Sequence, residues 1–372
     1  MSDRPQAEKR SAGRGVLIGV VVVLAVAFGI RTVVRVLTQD EKVFRADLAT
    51  AFFERYVEPD GRVVRRDQGS DTVSEGQAYA MLLAVAADDA ARFESVWRWT
   101  RDELQRSDGL LSWRWTAGRI ADEQPATDAD IDAAYALMLA GERFGKPSYL
   151  NDARQIARGI LDEETIDAGD RRILLAGPWA RRERIVNPSY IAPEAFRRFA
   201  EAFGDDRWEP LARDGMAMIR SLTDGGKRKP PDWARVDENG NAVASSSPGA
   251  TGAAAEGLES ARVMIRFASS CDDEARQLAA ASSDVAAADL HDGSHALEYV
   301  AAGAAAFAAG NTERAESLLG RAERVVRSEP TYYGSAWVAL GRAMLDPRAL
   351  RSCPGGPIAA EFVPGFARAR TA

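Results

Sequence analysis

Apolar side chains recur at helical spacing through most of this 372-residue chain, and this periodicity constrains the fold more than any other feature. We find no convincing run of alternating polar and apolar residues, the pattern typical of half-buried strands. Pairs such as Asp60–Gly61, Asp108–Gly109 and Gly310–Asn311 favour helix ends between the periodic segments. The pattern predicts an all-α fold with helices near 43–57, 74–87, 90–105, 128–144, 148–166, 193–203, 208–222, 252–270, 272–284, 294–309, 311–328 and 331–345.

These helices are expected to form one domain over residues 41–346, because no Gly/Ser-rich linker divides that stretch. Twelve helices in one uninterrupted domain suggest a closed ring of helical hairpins. An open solenoid is the alternative, since periodicity does not report closure. The long irregular stretches, 106–127, 167–192 and 223–251, contain aromatic residues. Long connections in compact domains are commonly functional, so we expect a binding cleft to form from them.

The N-terminal segment has a different composition. Residues 15–35 are mainly Val, Leu, Ile and Ala, and basic side chains precede them in residues 1–14. A spanning helix needs about 20 apolar residues, so we expect 1–14 to be a cytoplasmic basic tail and 15–35 a single transmembrane or signal-anchor helix in the inner, cytoplasmic membrane. Cleavage of a signal peptide near Ala27 is the alternative. Both place the domain outside the cytoplasm, in the periplasm or beyond. The tail at 347–372 is rich in Pro, Gly and Arg and is expected to pack little.

The amino-acid composition limits the partners, metal sites and catalytic groups that this chain can have. Forty-eight basic and 55 acidic residues give a formal net charge of −7, which argues against a nucleic-acid partner. Two cysteines, Cys271 and Cys353, exclude a four-cysteine zinc site, and whether they pair is not readable from the sequence. His291 and His295 are the only histidines, which leaves little room for histidine-based catalysis. An enzyme of this composition would rely on carboxyl groups for proton transfer, and we predict neither a metal nor a cofactor.

Two stretches place acidic residues at the start of predicted helices. In the first, Thr72 followed by Glu75 fits a capping box. The functional alternative puts Glu75 at the mouth of the helix, beside a glycine that lets a ligand approach. In the second, acidic residues from Asp128 onward offset the helix dipole. A calcium loop starting there would need Gly and Glu at positions that hold Ala133 and Leu139, so we predict no metal site.

The second stretch carries a family resemblance. Ala126-Thr-Asp-Ala-Asp-Ile-Asp-Ala-Ala-Tyr-Ala-Leu-Met-Leu-Ala-Gly-Glu-Arg-Phe144 resembles the signature of glycoside hydrolase family 8, and departs from it mainly at Ala133, where the family usually has Ile or Met. Matching motifs follow in family order: Ser74-Glu-Gly-Gln77, Trp97-Arg-Trp-Thr100, Asp108-Gly-Leu-Leu-Ser-Trp-Arg-Trp115, Asn187-Pro-Ser-Tyr190 and Pro231-Asp-Trp233. The chain is most similar to endoglucanases that accompany bacterial cellulose synthesis. The resemblance implies an (α/α)6 barrel.

The resemblance also implies roles for three carboxyl groups. Glu75 occupies the position of the family's general acid, which protonates the leaving glycosidic oxygen. Asp128 matches an active-site position that binds the central sugar and steadies the transition state. The family's general base is usually the Asp of a Tyr-Asp-Ala-x-Arg pattern. The stretch here reads Leu258-Glu-Ser-Ala-Arg262, so Glu259 takes the place of that Asp.

Glu259 keeps the charge of the family's Asp and adds one methylene. An inverting pair stands about 6.5–9.5 Å apart so that a water fits between. A longer side chain narrows this gap unless the backbone withdraws or the carboxylate turns aside. Three outcomes follow for the site: Glu259 works as base, Asp128 replaces it, or hydrolysis is lost. The plain structural alternative is that Glu259 is a solvated helix residue.

The resemblance further implies substrate-binding roles, with core packing as the alternative for each aromatic residue. The residues concerned are Trp113, Trp115, Asp130, Tyr190, Trp233 and Arg262. The predicted function is hydrolysis of cellulose-like β-1,4-glucan by an endo-acting, inverting, cellulase-type endoglucanase. The partners are the polysaccharide, the membrane and a polysaccharide synthase complex. Xylan, mixed-linkage glucan or chitosan is the alternative substrate, and a catalytically impaired glucan-binding protein of polysaccharide export is the alternative function.

Overall fold

The computed structural model describes residues 47–346 and 348–350, and this part of the chain is mostly helical. The first helix, α1, includes residues 47–56. The others are α2 Ser74–Ala86, α3 Ala90–Leu104, α4 Thr127–Phe144, α5 Pro147–Glu163, α6 Pro193–Phe203, α7 Trp208–Leu222, α8 Leu258–Ser269, α9 Asp273–Ala281, α10 Ser283–Ala287, α11 Ala296–Ala308, α12 Thr312–Ser328 and α13 Tyr332–Leu345.

Six of these helices form a closed inner ring. Each contacts the next in the order α2, α4, α6, α8, α11, α13, and α13 contacts α2 again. Outside the ring, α3 packs on α2, α5 on α4, α7 on α6, α9 on α8 and α12 on α11. Helix α1 reaches the ring through Phe52 and Tyr56, whose rings contact Tyr332. The molecule is therefore an (α/α)6 barrel, as predicted, and the open-solenoid alternative is wrong.

Inner and outer helices differ in which faces they bury. Every residue of α4 from Thr127 to Gly141 is buried, because an inner helix has neighbours on both sides and an outer helix behind it. Helix α5 buries one face only. Small residues allow the inner helices to approach closely. At Gly341 of α13 an added Cβ would lie 2.3 Å from Cγ1 of Val300 in α11, so a larger residue would separate the two helices.

The structure also contains short strands that the periodicity did not predict. One antiparallel sheet joins β1 Thr72–Val73, β2 Arg114–Thr116 and β3 Arg119–Asp122. A hairpin joins β4 Thr165–Ala168 to β5 Arg171–Leu174, and a third sheet joins β6 Ile185–Val186, β7 Trp233–Val236 and β8 Ala242–Ser245. Strands of two to four residues are too short to show an alternating pattern.

Some helix bounds also differ from the predictions. Helix α5 ends at Glu163 because Thr165 already belongs to β4, and α8 begins at Leu258 instead of 252. The helix predicted at 272–284 is divided into α9 and α10.

The inner helices all point the same way, because an outer helix returns the chain after each of them. Their N-termini therefore gather at one end of the barrel. Two buried ion pairs across the barrel agree with this direction. Arg262 and Arg266, one turn apart on α8, pair with Asp128 and Asp132, one turn apart on α4. Since both pairs advance in the same sense, α4 and α8 are parallel.

Gln77 fixes the start of α2 at this end. Its side chain is fully buried, and its Oε1 accepts a hydrogen bond from the Val63 N–H at 2.6 Å. Its amide nitrogen donates to the Gly61 carbonyl at 3.2 Å and to the Thr100 hydroxyl at 2.8 Å. One side chain thus ties α2 to the loop after α1 and to α3.

Several predictions fall on residues outside the described ranges, namely the basic tail, the anchor at 15–35 and most of the tail at 347–372. Within the described ranges, no helix combines the length and apolar character that crossing a membrane requires. Cys271 is disulfide-bonded, and Cys353 lies outside these ranges.

Candidate active site

Three carboxyl groups hold equivalent positions in the barrel. Glu75, Asp128 and Glu259 are each the second residue of an inner helix, in α2, α4 and α8 respectively. Because those N-termini gather at one end of the barrel, the three side chains converge there. The structure therefore brings together the three residues that the sequence analysis named.

The capping box predicted for Thr72 and Glu75 is wrong. Thr72 lies in β1, and its hydroxyl donates to the Val63 carbonyl at 2.7 Å. The N-cap of α2 is Val73, which provides no side-chain hydrogen bond.

Arg262 links two of the three carboxyl groups. Its Nη1 donates to Asp128 Oδ2 at 2.6 Å, and its Nη2 donates to Glu259 Oε2. The side chains of Arg262 and Asp128 are each only 2% exposed, so the ion pair between them is shielded from solvent. The guanidinium also lies 5.5 Å from the centre of the Tyr190 ring. Arg262, for which a substrate-binding role was predicted, is held by these protein groups.

Glu75 has a different environment. Its Oε2 is buried and, among the residues described, has no hydrogen-bond partner. Burial raises the pKa of Glu75 to about 8, and the nearby Asp128 carboxylate is the second cause of the increase. The folded protein therefore keeps a proton on Glu75 at neutral pH, which is the state that a general acid requires.

Glu259 is ion-paired and partly open to solvent. Its side chain is 35% exposed, and both hydrogen bonds that it accepts go to Oε2, one from Arg262 and one from Asn187 Nδ2 at 3.1 Å. Its Oε1 accepts no hydrogen bond within the described part of the chain, so that oxygen has lone pairs available for a proton. Asn187 belongs to a motif quoted for the family, but its contact with Glu259 spans 72 residues of sequence and was not predicted.

The predicted aromatic residues lie around these groups in three different ways. Tyr190 is buried against Arg262, and its ring packs edge-on against Trp233 at 6.4 Å. The Trp113 carbonyl accepts the hydrogen bond of the Ser74 N–H, which places Trp113 next to Glu75. Trp115 is half-buried, and its ring lies 5.4 Å from Trp99 and 5.1 Å from the Arg62 guanidinium.

Two aromatic residues near the site were not among the predicted site residues. Trp179 is exposed, and its indole N–H donates to the Pro125 carbonyl just before α4. Tyr333, the second residue of α13, has a hydroxyl that is buried without a hydrogen-bond partner in the described residues. Its position at the N-terminus of an inner helix is equivalent to that of the three carboxyl groups. The equivalence appears only once the ring of helices is known.

Asp130, for which a substrate-binding role was predicted, is enclosed by protein. Its side chain is fully buried, and its Oδ1 accepts a hydrogen bond from the Leu111 N–H at 2.8 Å. Its Oδ2 is buried without a partner in the described part, as are both carboxyl oxygens of Glu164. Burial raises the pKa of Asp130, and the neighbouring Glu164 raises it further. Burial likewise raises the pKa of Glu164 to about 8.

A partly buried proton donor, a salt-bridged carboxylate and aromatic side chains at one end of a helical barrel are the parts of a glycoside hydrolase site. The sequence model described as Glycosyl hydrolases family 8 matches residues 48–344, and the chain belongs to this family.

Individual relatives agree with this assignment. A probable endoglucanase of Novacetimonas hansenii is 36% identical over 203 residues, which are 53% of this chain and 59% of the relative. An endoglucanase of Cellulomonas uda is 33% identical over 193 residues, 50% of this chain and 54% of the relative. The chain thus spans little more than half the length of these two relatives. The structure of endo-β-1,4-glucanase CMCax from Acetobacter xylinum superposes with a TM-score of 0.70 at 27% identity, covering 83% of this chain and 98% of that one.

The buried carboxyl pair predicts a specific dependence of stability on pH. Glu164 has an ordinary pKa near 4.5 when unfolded and about 8 when folded, so the folded state holds the extra proton between these values. Stability from this group is complete below about pH 4.5 and is lost as the pH rises towards 8. Glu164→Gln, which cannot ionise, should raise the free energy of unfolding by several kcal/mol more at pH 8 than at pH 4.

Urea unfolding of both proteins at the two pH values measures this difference. The exposed neighbour Glu163 provides the matched control, and Glu163→Gln should show no pH-dependent gain. Equal effects of the two substitutions would contradict the account of the buried pair.

Proposed function

We propose that this protein is an endo-acting glycoside hydrolase that cleaves cellulose-like β-1,4-glucan with inversion of configuration. The observation that carries the proposal is the contrast between two glutamates at the same end of the barrel. Glu75 is partly buried, with one oxygen that has no hydrogen-bond partner among the described residues and a pKa raised by burial to about 8, whereas Glu259 is paired with Arg262. The relatives named as endoglucanases support the choice of substrate class.

The proposed reaction follows from the different surroundings of Glu75 and Glu259. Glu75 donates its proton to the glycosidic oxygen as the bond from that oxygen to the anomeric carbon breaks. A water attacks the anomeric carbon from the opposite face and gives a proton to Glu259 Oε1, the oxygen that accepts no hydrogen bond among the described residues. Asp128 offsets the positive charge that develops on the sugar ring. Both catalytic groups regain their starting states once protons exchange with water.

Contacts at the Glu259 carboxylate support its role as base despite the extra methylene. Its Oε2 is held by Arg262 and by Asn187, so the longer side chain is turned towards the protein. A carboxylate turned aside in this way leaves more room for a water than one extended into the cleft. This was one of the two ways in which a Glu can replace the shorter Asp.

The site also fits the alternative substrates. Xylan, mixed-linkage glucan and chitosan present the same type of glycosidic bond, and the carboxyl groups act on the bond and not on the substituents. We favour β-1,4-glucan because the two most informative relatives carry the name endoglucanase. A glucan-binding protein without turnover remains the second candidate, and the observation in its favour is the Glu at the position of the family's Asp.

We also propose that the catalytic domain acts outside the cytoplasm, attached to the inner membrane through residues 15–35. The apolar run with its basic flank supports this, and a cellulose-like substrate would place the protein beside a polysaccharide synthase complex. Expression of the full chain followed by protease treatment of intact spheroplasts checks it. Digestion of the domain is expected, and protection of the domain until lysis would contradict the proposal.

Substitution of Glu75 tests the function directly. Glu75→Gln removes the transferable proton while keeping the size of the side chain, so the rate of reducing-end release from carboxymethylcellulose should fall at least about a thousandfold. Binding of cellohexaose, measured by titration calorimetry, should remain. Glu256→Gln, an exposed glutamate three residues before Glu259, is the matched control and should keep wild-type activity.

Two results would count against the assignment. Substantial activity of Glu75→Gln above a mock purification would exclude Glu75 as the acid. A wild-type protein that binds cellohexaose without cleaving it would favour the binding-protein alternative.

A further inference from the structure

The helix that carries Glu259 has no cap of its own. Helix α8 begins at Leu258, and its N-cap, Gly257, has no side chain to accept a hydrogen bond from the first turn. The first N–H groups of a helix lack partners within the helix and need an acceptor from elsewhere. In α8 these groups lie at the site itself, because Glu259 is the second residue of that turn.

Asp232 provides the missing acceptor from the other end of a long loop. Its Oδ1 accepts the Ser260 N–H at 2.8 Å and the Gly257 N–H at 2.9 Å. Ser260 is the third residue of α8, and its N–H is one that an N-cap side chain ordinarily satisfies. The partners are 28 residues apart in sequence, so this is a helix cap made by a distant residue.

The local geometry around Asp232 is built for this contact. The Asp232 N–H donates to the Ala255 carbonyl at 2.8 Å, which fixes the backbone of Asp232 beside the approach to α8. A Cβ added at Gly257 would lie 2.7 Å from Asp232 Oδ2. The absence of a side chain at residue 257 therefore allows the carboxylate to come this close to the helix.

Asp232 also connects the helix start to the aromatic side of the cleft. The next residue, Trp233, begins β7 and packs against Tyr190, whose ring lies over Arg262. Asp232 and Trp233 are adjacent in sequence. The carboxylate of Asp232 thus contacts α8, and the indole of Trp233 packs against the Tyr190 ring beside Arg262.

We propose that Asp232 is a positioning residue for the reaction, which caps α8 from outside and thereby sets where the backbone of Glu259 holds its carboxylate. This inference rests on the proposed function. Asp232 touches neither the reacting atoms nor Glu259, and it acts through the first turn of the helix. The position matters because a displacement of about 1 Å in a catalytic group costs on the order of a hundredfold in rate.

The test compares Asp232→Ala, Asp232→Asn and Asp237→Ala in the full chain. Asp237 is the matched control, because it also accepts two backbone N–H groups, from Asn239 at 2.9 Å and Asn241 at 2.8 Å, in the same loop region. Steady-state kinetics on cellopentaose give kcat and KM, and hydrogen–deuterium exchange reports the amides of residues 257–262.

Asp232→Ala should lower kcat about ten- to a hundredfold, change KM less than about twofold and speed exchange at residues 257–262. Asp232→Asn keeps an acceptor oxygen and should retain more kcat than the alanine variant. Asp237→Ala should match the wild type in all three measurements. If Asp232→Ala does not fold, Gly257→Ala, which displaces the carboxylate without removing it, is expected to lower kcat in the same way.

Unchanged kcat or unchanged exchange in the folded variants would overturn the inference while the proposed function stands. So would a fall in the stability of Asp232→Ala accompanied by equal losses in kcat and binding. A wild-type protein without activity on any β-1,4-glucan would instead overturn the proposed function, and with it the catalytic half of the inference. The exchange data would then still decide whether Asp232 caps α8.

Discussion

The buried guanidinium of Arg262 is the interaction on which the rest of the site depends. It holds Asp128 from α4 and Glu259 from α8, two inner helices that α6 separates in the ring. Arg266 repeats the link one turn deeper, with two hydrogen bonds to Asp132 of 2.7 and 2.8 Å. Buried ion pairs contribute little net stability, but removal of one partner leaves an uncompensated charge that costs about 3–5 kcal/mol. The pairs therefore fix the relative positions of α4 and α8 more than they stabilise the barrel.

The contacts of Arg262 also make the surroundings of Glu75 different from those of Glu259. Arg262 pairs directly with Asp128 and Glu259. Glu75 forms no salt bridge among the described residues, and burial together with the negative charge of Asp128 outweighs the opposing effect of Arg262 on its pKa. Desolvation and like charge both favour the protonated form of a carboxyl group. The surroundings of Glu75 thus give it the protonated state that a general acid needs.

Much of the architecture could be predicted from the sequence, because helical periodicity and helix-stop pairs are local signals. The amphipathic pattern of α5, for example, is visible over its 17 residues. The site residues Glu75, Asp128 and Glu259 came from ordered motifs rather than from spacing. Spacing alone favoured a capping box at Thr72. In the structure the Thr72 hydroxyl donates its hydrogen bond to the Val63 carbonyl instead.

What could not be predicted depends on contacts between distant residues. Asp130 and Glu164 are adjacent only in the fold, so the burial that raises their pKa values leaves no local trace. The short strands lack the length for a pattern, and the cap that Asp232 places on α8 crosses 28 residues. The equivalent positions of Glu75, Asp128, Glu259 and Tyr333 also become apparent only when the inner helices are known to be parallel.

The stereochemistry of the first product tests the central claim most directly, since in the proposed mechanism a water that Glu259 activates attacks from the face opposite the leaving group. Proton NMR of cellopentaose during the first minutes of reaction distinguishes the two anomers before they interconvert. The account predicts that newly released reducing ends appear first as the α-anomer. Initial release of the β-anomer would contradict it, because that product requires a nucleophilic carboxylate and two displacements.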